Sequence, residues 1–424
     1  MRRFISLRSE TATRQKAIGS SGRLLLIPII VLSLGGCAGK IRGILEPVAY
    51  TAPGTSQVEM VVATTRMRTV PAEMFSGLRA PSAAFADITV SIPPDGVRQI
   101  GEVQWPQQIP GNPATDFVTL KADILDRPQA LSAFHRLVQK VPKRQALVFV
   151  HGFNNRFEDA VVRFAQIVHD SGADVAPVLF TWPSKGSALA YGYDRESANY
   201  SRDTLEAVLR ALAKDPEVGQ VSVLAHSMGN WVTLEALRQM AIRDGKVADK
   251  IRTVLLAAPD VDVDVARQEI ATLGPKRPNF ILFVSEDDRA LAISRKLWGG
   301  ARLGAINPDI EPYKSELESE KIEVVNLTSE ISPDRFHHGK FAENPMAVQL
   351  IGRSLASGQI LTDSRVGVGE RIMATTAGAA ASVGHAAGLV VSAPLTIVDP
   401  TTRENFGDQI DAFGRSVENA AAPP

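Results

Sequence analysis

From residue 145 onward, short apolar runs alternate with stretches of helical spacing, and that alternation limits the possible folds more than any other feature of the chain. Residues 146–150, 175–182, 221–225, 251–257, 280–284 and 322–327 are largely apolar. Such runs, without a regular polar alternate, belong to strands covered on both faces. Between them, apolar residues recur every three or four positions, as in Phe157, Ala160, Val161, Phe164, Ile167 and Val168, or Leu205, Val208, Leu209 and Leu212. Further helices are predicted over 231–242, from 289, and over 344–355. Amphipathic helices between doubly buried strands imply the α/β class: a mostly parallel sheet of about six strands, with helices on both faces, over 141–356.

The flanks differ from this block. Residues 57–140 carry β-branched, partly alternating runs at 58–63, 86–92 and 117–120. They are punctuated by Pro93-Pro94-Asp95-Gly96 and Pro110-Gly111-Asn112-Pro113. This is the pattern of a β-rich N-terminal extension packed on the α/β domain. Residues 37–56, with Pro47, Pro53 and Gly54, read as a tether. Residues 357–424 form an Ala/Gly-rich tail, and no Asp, Glu, Lys or Arg occurs over 372–398. That stretch is long enough to span a bilayer. Its His385, Pro394 and abundant Ala favour a tail lying near a membrane over a simple span. No solenoid-type repeat is evident.

Residues 1–36 have the layout of a secretory signal. Basic residues precede a short apolar run, and small residues follow it. The chain has 1 cysteine, Cys37, directly after Leu34-Gly35-Gly36. That sequence resembles a bacterial lipobox, which implies cleavage before Cys37 and lipidation of its thiol. Ala38 at the next position favours the outer membrane, on its periplasmic side. The competing reading is an uncleaved membrane helix with an incidental cysteine. A formal net charge of zero gives no footprint for nucleic acid. With 45% hydrophobic and 22% charged residues, the composition is that of a folded chain.

Ala225-His226-Ser227-Met228-Gly229 lies directly after one apolar run and before one helix. A strand-to-helix turn of this kind exposes a serine hydroxyl beside a helix N-terminus, where an oxyanion is favoured. The usual Gly-x-Ser-x-Gly spacing is kept, with Ala225 replacing the first glycine. A serine here is equally consistent with an ordinary helix cap. His151-Gly152 at the end of an earlier strand resembles the His-Gly oxyanion turn of lipases and esterases, and that resemblance tips the balance toward a nucleophile. The pair supplies a turn from which the Phe153 N–H would act as second oxyanion donor beside that of Met228. His151 and His226 read as structural, with the His226 side chain directed away from Ser227.

Three histidines follow Ser227. His338 is the preferred base, His337 the alternative, and His385 lies in the tail. Asp288 is the preferred acid, after the 280–284 strand. Asp287 and Asp260 are alternatives, and loop capping is the bland role for Asp260. The loop 184–199 could border a pocket, although a plain surface loop is the simpler reading.

Together, Phe149-Val150-His151-Gly152-Phe153-Asn154, Phe180-Thr181-Trp182-Pro183-Ser184, the Ser227 turn, Leu256-Ala257-Ala258-Pro259-Asp260, Asp288-Arg289-Ala290-Leu291 and His338 resemble the alpha/beta-hydrolase superfamily. Within it they resemble a bacterial esterase/lipase-like branch of unknown function, over roughly residues 57–356. The resemblance implies an alpha/beta-hydrolase fold and hydrolysis of a small ester or lipid-like substrate through an acyl-enzyme. It also implies a Ser227-His338-Asp288 triad and no metal or organic cofactor. Two other functions fit the same motifs: an amidase or thioesterase with the same triad, and a non-catalytic envelope scaffold that kept the fold. Oligomeric state is not legible.

Overall fold

The computed structural model describes residues 41–357. Residues 1–36, read above as a signal, Cys37 and the residues from 358 lie outside the described residues. The strands are β1 (Ser56–Arg68), β2 (Phe75–Ile92), β3 (Val118–Leu125), β4 (Gln145–Val150), β5 (Ala176–Thr181), β6 (Gln220–His226), β7 (Ile251–Ala257), β8 (Asn279–Val284) and β9 (Glu323–Asn326). The helices are α1 (Arg127–Val138), α2 (Phe157–Ser171), α3 (Tyr191–Lys214), α4 (Gly229–Asp244), α5 (Val263–Thr272), α6 (Arg289–Trp298), α7 (Tyr313–Ser319), α8 (Lys340–Glu343) and α9 (Pro345–Ser357).

All nine strands form one sheet in the order β3-β2-β1-β5-β4-β6-β7-β8-β9. The six strands from β4 onward are mutually parallel, as the apolar runs require. β1 joins them by pairing parallel to β5. β2 and β3 then extend that edge through antiparallel pairs. The β-rich lead-in therefore contributes three strands to the same sheet, and no separate layer forms.

Side-chain alternation divides the core in two. In β4, Ala146, Val148 and Val150 pack with residues of α1, α3, α4 and α5. Leu147 and Phe149 face the opposite way, into the cluster that includes α2 and α9. Phe149 stacks on Phe164 of α2 at 5.2 Å. Each large apolar side chain buried this way contributes about 1.5–3 kcal/mol.

Residues 41–48 depart from the tether reading. Ile44, Leu45 and Val48 are buried in the α2–α9 side of the core. The Val48 N–H donates to Thr119 O at 2.8 Å, and Thr119 Oγ1 donates to Ile44 O at 2.8 Å. Two adjacent large aliphatic residues in a Pro/Gly-punctuated stretch were the signal, and their burial outweighs chain freedom there. Four helices lack a counterpart among the predicted ones: α1 in the lead-in, and α5, α7 and α8 within the α/β block. α1 begins with a reciprocal capping box between Asp126 and Gln129, and α5 is capped by Asp262.

Glu269 of α5 is 3% exposed. Burial, reinforced by the Glu235 carboxylate of α4, pushes its pKa up from 4.5 to about 8. The native state thus holds a proton that the unfolded chain releases. Its stabilising contribution, full below about pH 4.5, is lost as pH rises toward 8. Glu269→Gln is expected to raise stability by about 2–4 kcal/mol at pH 8.5 and by little at pH 4.5. Thermal melts at the two pH values check this; an equal gain at both would remove the explanation.

Candidate active site

Ser227 occupies the turn between β6 and α4 with φ of 53°. A non-glycine residue in the left-handed region is strained, so its surroundings must hold it there. They do so at several points. The Ser227 N–H donates to Ala257 O at 2.9 Å, and the Asp260 N–H donates to Ser227 O at 3.2 Å. Asn230 Nδ2 bonds both Ser227 O and Ala257 O, at 3.0 and 3.1 Å. The N-cap position of α4 is Met228, and no side chain caps this helix. The structure thus gives Ser227 no cap role.

The two glycines of the site are fixed by crowding. A Cβ on Gly229 would lie 2.5 Å from both His151 O and Val150 O. The end of β4 therefore presses on the turn, and the strand and helix flanking Ser227 are not the main obstacle. A Cβ on Gly152 would lie 2.7 Å from Ser227 Cβ. The 151–155 turn is thus packed directly against Ser227, which brings Phe153 to the site.

His151 is buried and neutral. Burial, then the neighbouring Arg66 charge, drive its pKa down to about 3. Its Nε2 accepts from Trp182 N at 3.1 Å, which leaves Nδ1–H to donate to Gly152 O at 2.8 Å. Arg66, at the end of β1, is buried beside it. The guanidinium donates to Thr181 Oγ1 (2.7 Å), Ser184 O (2.9 Å) and Asn155 O (2.8 Å). Asp194 of α3 accepts from Ser184 Oγ, Lys185 N and Asn154 N. Nothing in the sequence reading singled out Arg66 or Asp194. The one available signal was an arginine closing an apolar strand.

Two parallel histidine–carboxylate pairs stand beyond β8. His338 Nδ1 meets Asp288 Oδ2 at 2.6 Å, and the Asp288 side chain is fully buried. The other Asp288 oxygen caps α6 through Leu291 N at 2.9 Å. Burial acts to lower the His338 pKa, but the Asp288 charge and hydrogen bond outweigh it and hold the imidazole above its ordinary value. The second pair, His337 Nδ1 to Asp287 Oδ2 at 2.7 Å, is partly exposed. Asp287 is further tied to buried Lys340 at 2.7 Å.

His226 is directed toward this loop and not simply away from the site. Its ring lies 4.8 Å from His338 and 4.5 Å from Phe341, with Nε2 at 3.3 Å from His338 O. Burial, then the His338 charge, keep its pKa well below the ordinary value. The neutral ring bridges the Ser227 turn to the His338 loop. Asp260 has no hydrogen bond to a histidine among the described residues. It accepts from Tyr191 Oη at 2.8 Å and Ser294 Oγ at 2.6 Å. The 184–199 segment is half helix, since α3 starts at Tyr191. Tyr191 stands at the site's edge, between Phe153 (5.1 Å) and Trp298 (5.4 Å). Among the described residues, no group of three or more His, Cys, Asp or Glu side chains is arranged to hold a metal ion.

The family model for "Alpha/beta hydrolase of unknown function (DUF900)" matches residues 127–354, more than half of the chain. The chain belongs to this family. The matched span starts at α1, so β1 to β3 precede it, and the likeness is shorter than the 57–356 expected. DUF900 membership supports hydrolase activity. An uncharacterized protein of Nostoc sp. (strain PCC 7120), alr1448, is 23% identical over 152 residues, 30% of this chain and 39% of that relative. Siderophore hydrolase EstB from Aspergillus nidulans has a TM-score of 0.31 at 11% identity, over 73% of this chain and 97% of its own. An esterase from Rhizomucor miehei has a TM-score of 0.29 at 12% identity, over 75% and 84%. Overlaps this slight carry no argument about activity.

Proposed function

We propose that this DUF900 protein is a carboxylic ester hydrolase that works through an acyl-enzyme on Ser227. The observation that carries the reading is the His338–Asp288 pair, whose carboxylate is fully buried, joined through His226 to a serine held at positive φ. In this mechanism Ser227 Oγ attacks the ester carbonyl while His338 Nε2 takes its proton. Asp288 keeps the proton on Nδ1 and stabilises the imidazolium. The Met228 and Phe153 N–H groups hold the oxyanion. His338 then protonates the leaving alcohol, and water repeats the sequence to release the acid. The partial exposure of the His337–Asp287 pair and the side-chain partners of Asp260 favour Asp288 and His338 over these alternatives. The same proposal places the enzyme at the cell envelope, held by acyl chains on Cys37.

A fluorophosphonate probe is expected to label the wild type and not Ser227→Ala, and only the wild type should hydrolyse p-nitrophenyl esters. In the same cells a clickable fatty acid should label the wild type and not Cys37→Ser. Probe labelling that survives Ser227→Ala removes the nucleophile. Labelling without ester turnover, but with amide or thioester turnover, redirects the substrate class.

A further inference from the structure

A concave site lies between α1 and α3, on the sheet face where Val61 and Ala63 of β1 and Val178 of β5 form the floor. The groove holds about 880 Å³, inside the range of roughly 300–1,000 Å³ usual for small-molecule sites. Its walls are apolar: Ala130, Leu131 and Phe134 from α1, with Val208, Ala211 and Leu212 from α3. None of the proposed triad or oxyanion residues lines it. Leu131 stands 50% exposed at its mouth.

The rim decides the ligand's charge. Three acids and three cations border the groove, but the acids are engaged. Asp126 caps Gln129 N at 2.8 Å, Asp215 is bound to His135 Nε2 at 2.7 Å, and Glu217 pairs with Arg144 at 3.2 Å. Arg68, Arg127 and Lys214 form no ion pair with any described residue. Glu217 is offset by Arg144, so Arg68, Arg127 and Lys214 face the two carboxylates Asp126 and Asp215, and with a neutral His135 the rim keeps an excess of positive charge. The His135–Asp215 bond also ties α1 to the end of α3, which fixes the width of the groove.

We propose that this groove binds one monomeric long-chain carboxylate, its alkyl chain over Val61, Ala63 and Val178 and its head group at Arg68, Arg127 or Lys214. Burial of the chain supplies the affinity, and the arginine–carboxylate contact sets the polarity. The proposal is independent of the ester-hydrolase reading, because it concerns binding at another site.

The test is calorimetric titration of the full chain carrying Cys37→Ser, free of detergent, with dodecanoate below its micelle concentration. One saturable site is expected, with Kd on the order of micromolar. Ala207→Trp, at an exposed position lining the groove, should abolish binding. Arg68→Glu with Arg127→Glu should weaken it at least about tenfold, and this pair carries the test if Ala207→Trp fails to fold. Ser227→Ala should bind like the parent. The proposal is overturned by any of four results: no saturable binding, equal binding of dodecyltrimethylammonium, binding lost in Ser227→Ala, or binding that appears only after residues 358–424 are removed. The last result would make the tail the occupant.

Discussion

Asp288→Asn is expected to lower kcat on ester substrates about 10³–10⁴-fold, whereas Asp287→Asn should cost less than about tenfold. The two residues are adjacent, and each faces its own histidine. The difference lies in what surrounds them. Asp288 is fully buried, and its two oxygens are divided between Leu291 N and His338 Nδ1. An amide there can still cap the helix, but it no longer holds the His338 proton on Nδ1 with a negative charge. Asp287 is partly solvated and is shared by His337, Lys340 and Ser285. The pH profile should separate the two as well. His338 must be neutral to accept a proton, so kcat/KM should rise with pH through a pKa above the ordinary histidine value. Asp288→Asn removes the charge that raises that pKa, so the residual activity should rise at lower pH. Equal losses in the two variants, or an acid limb that stays in place, would sink the assignment.

The choice between neighbouring residues shows how much of the site was legible. The strand–Ser227–helix turn could be placed from the sequence because apolar runs and helical spacing bracket it on both sides. Whether Asp287 or Asp288 turns inward, and whether His337 or His338 does, depends on the path of two loops. Asp334 sets one of them, with Oδ2 accepting from the N–H groups of His338 and Gly339. His337 sits at φ of 56°, and its ring meets the exposed carboxylate. No periodicity carries that information. The role of His226 was hidden for a related reason, because its partner is a backbone carbonyl 112 residues away. The lead-in strands were legible as strands, but their partner was not. β1 crosses to β5, and that pairing is set by the sheet as a whole. α1 left a local signal in Asp126, Pro128 and Gln129, inside a segment whose strand character dominated.

Arg66→Met should destabilise the protein by about 3–5 kcal/mol, and Arg66→Lys should recover little of the loss. The guanidinium reaches Thr181, Ser184 and Asn155 from one buried position, with His151 Nε2 at 3.3 Å. These partners come from β5 and from the loops after β4 and β5, so one side chain clamps three segments. A lysine ammonium has three donors on a flexible stem and cannot span that fan. Methionine keeps most of the volume but leaves the carbonyls of Ser184 and Asn155 without their donor, at about 1–3 kcal/mol for each group that stays buried. For a domain of this size the expected fall in Tm is about 10 °C. The stability loss should bring a functional one, because the clamped turn carries Phe153. Movement of its N–H away from the oxyanion would cost about 10²-fold or more in kcat. The measurement pairs thermal melts with fluorophosphonate labelling rates at a temperature where both variants remain folded. If Arg66→Met melts like the wild type, the clamp is not what holds the turn. If it melts low but labels at the wild-type rate, Phe153 is positioned by Gly152 packing on Ser227 alone.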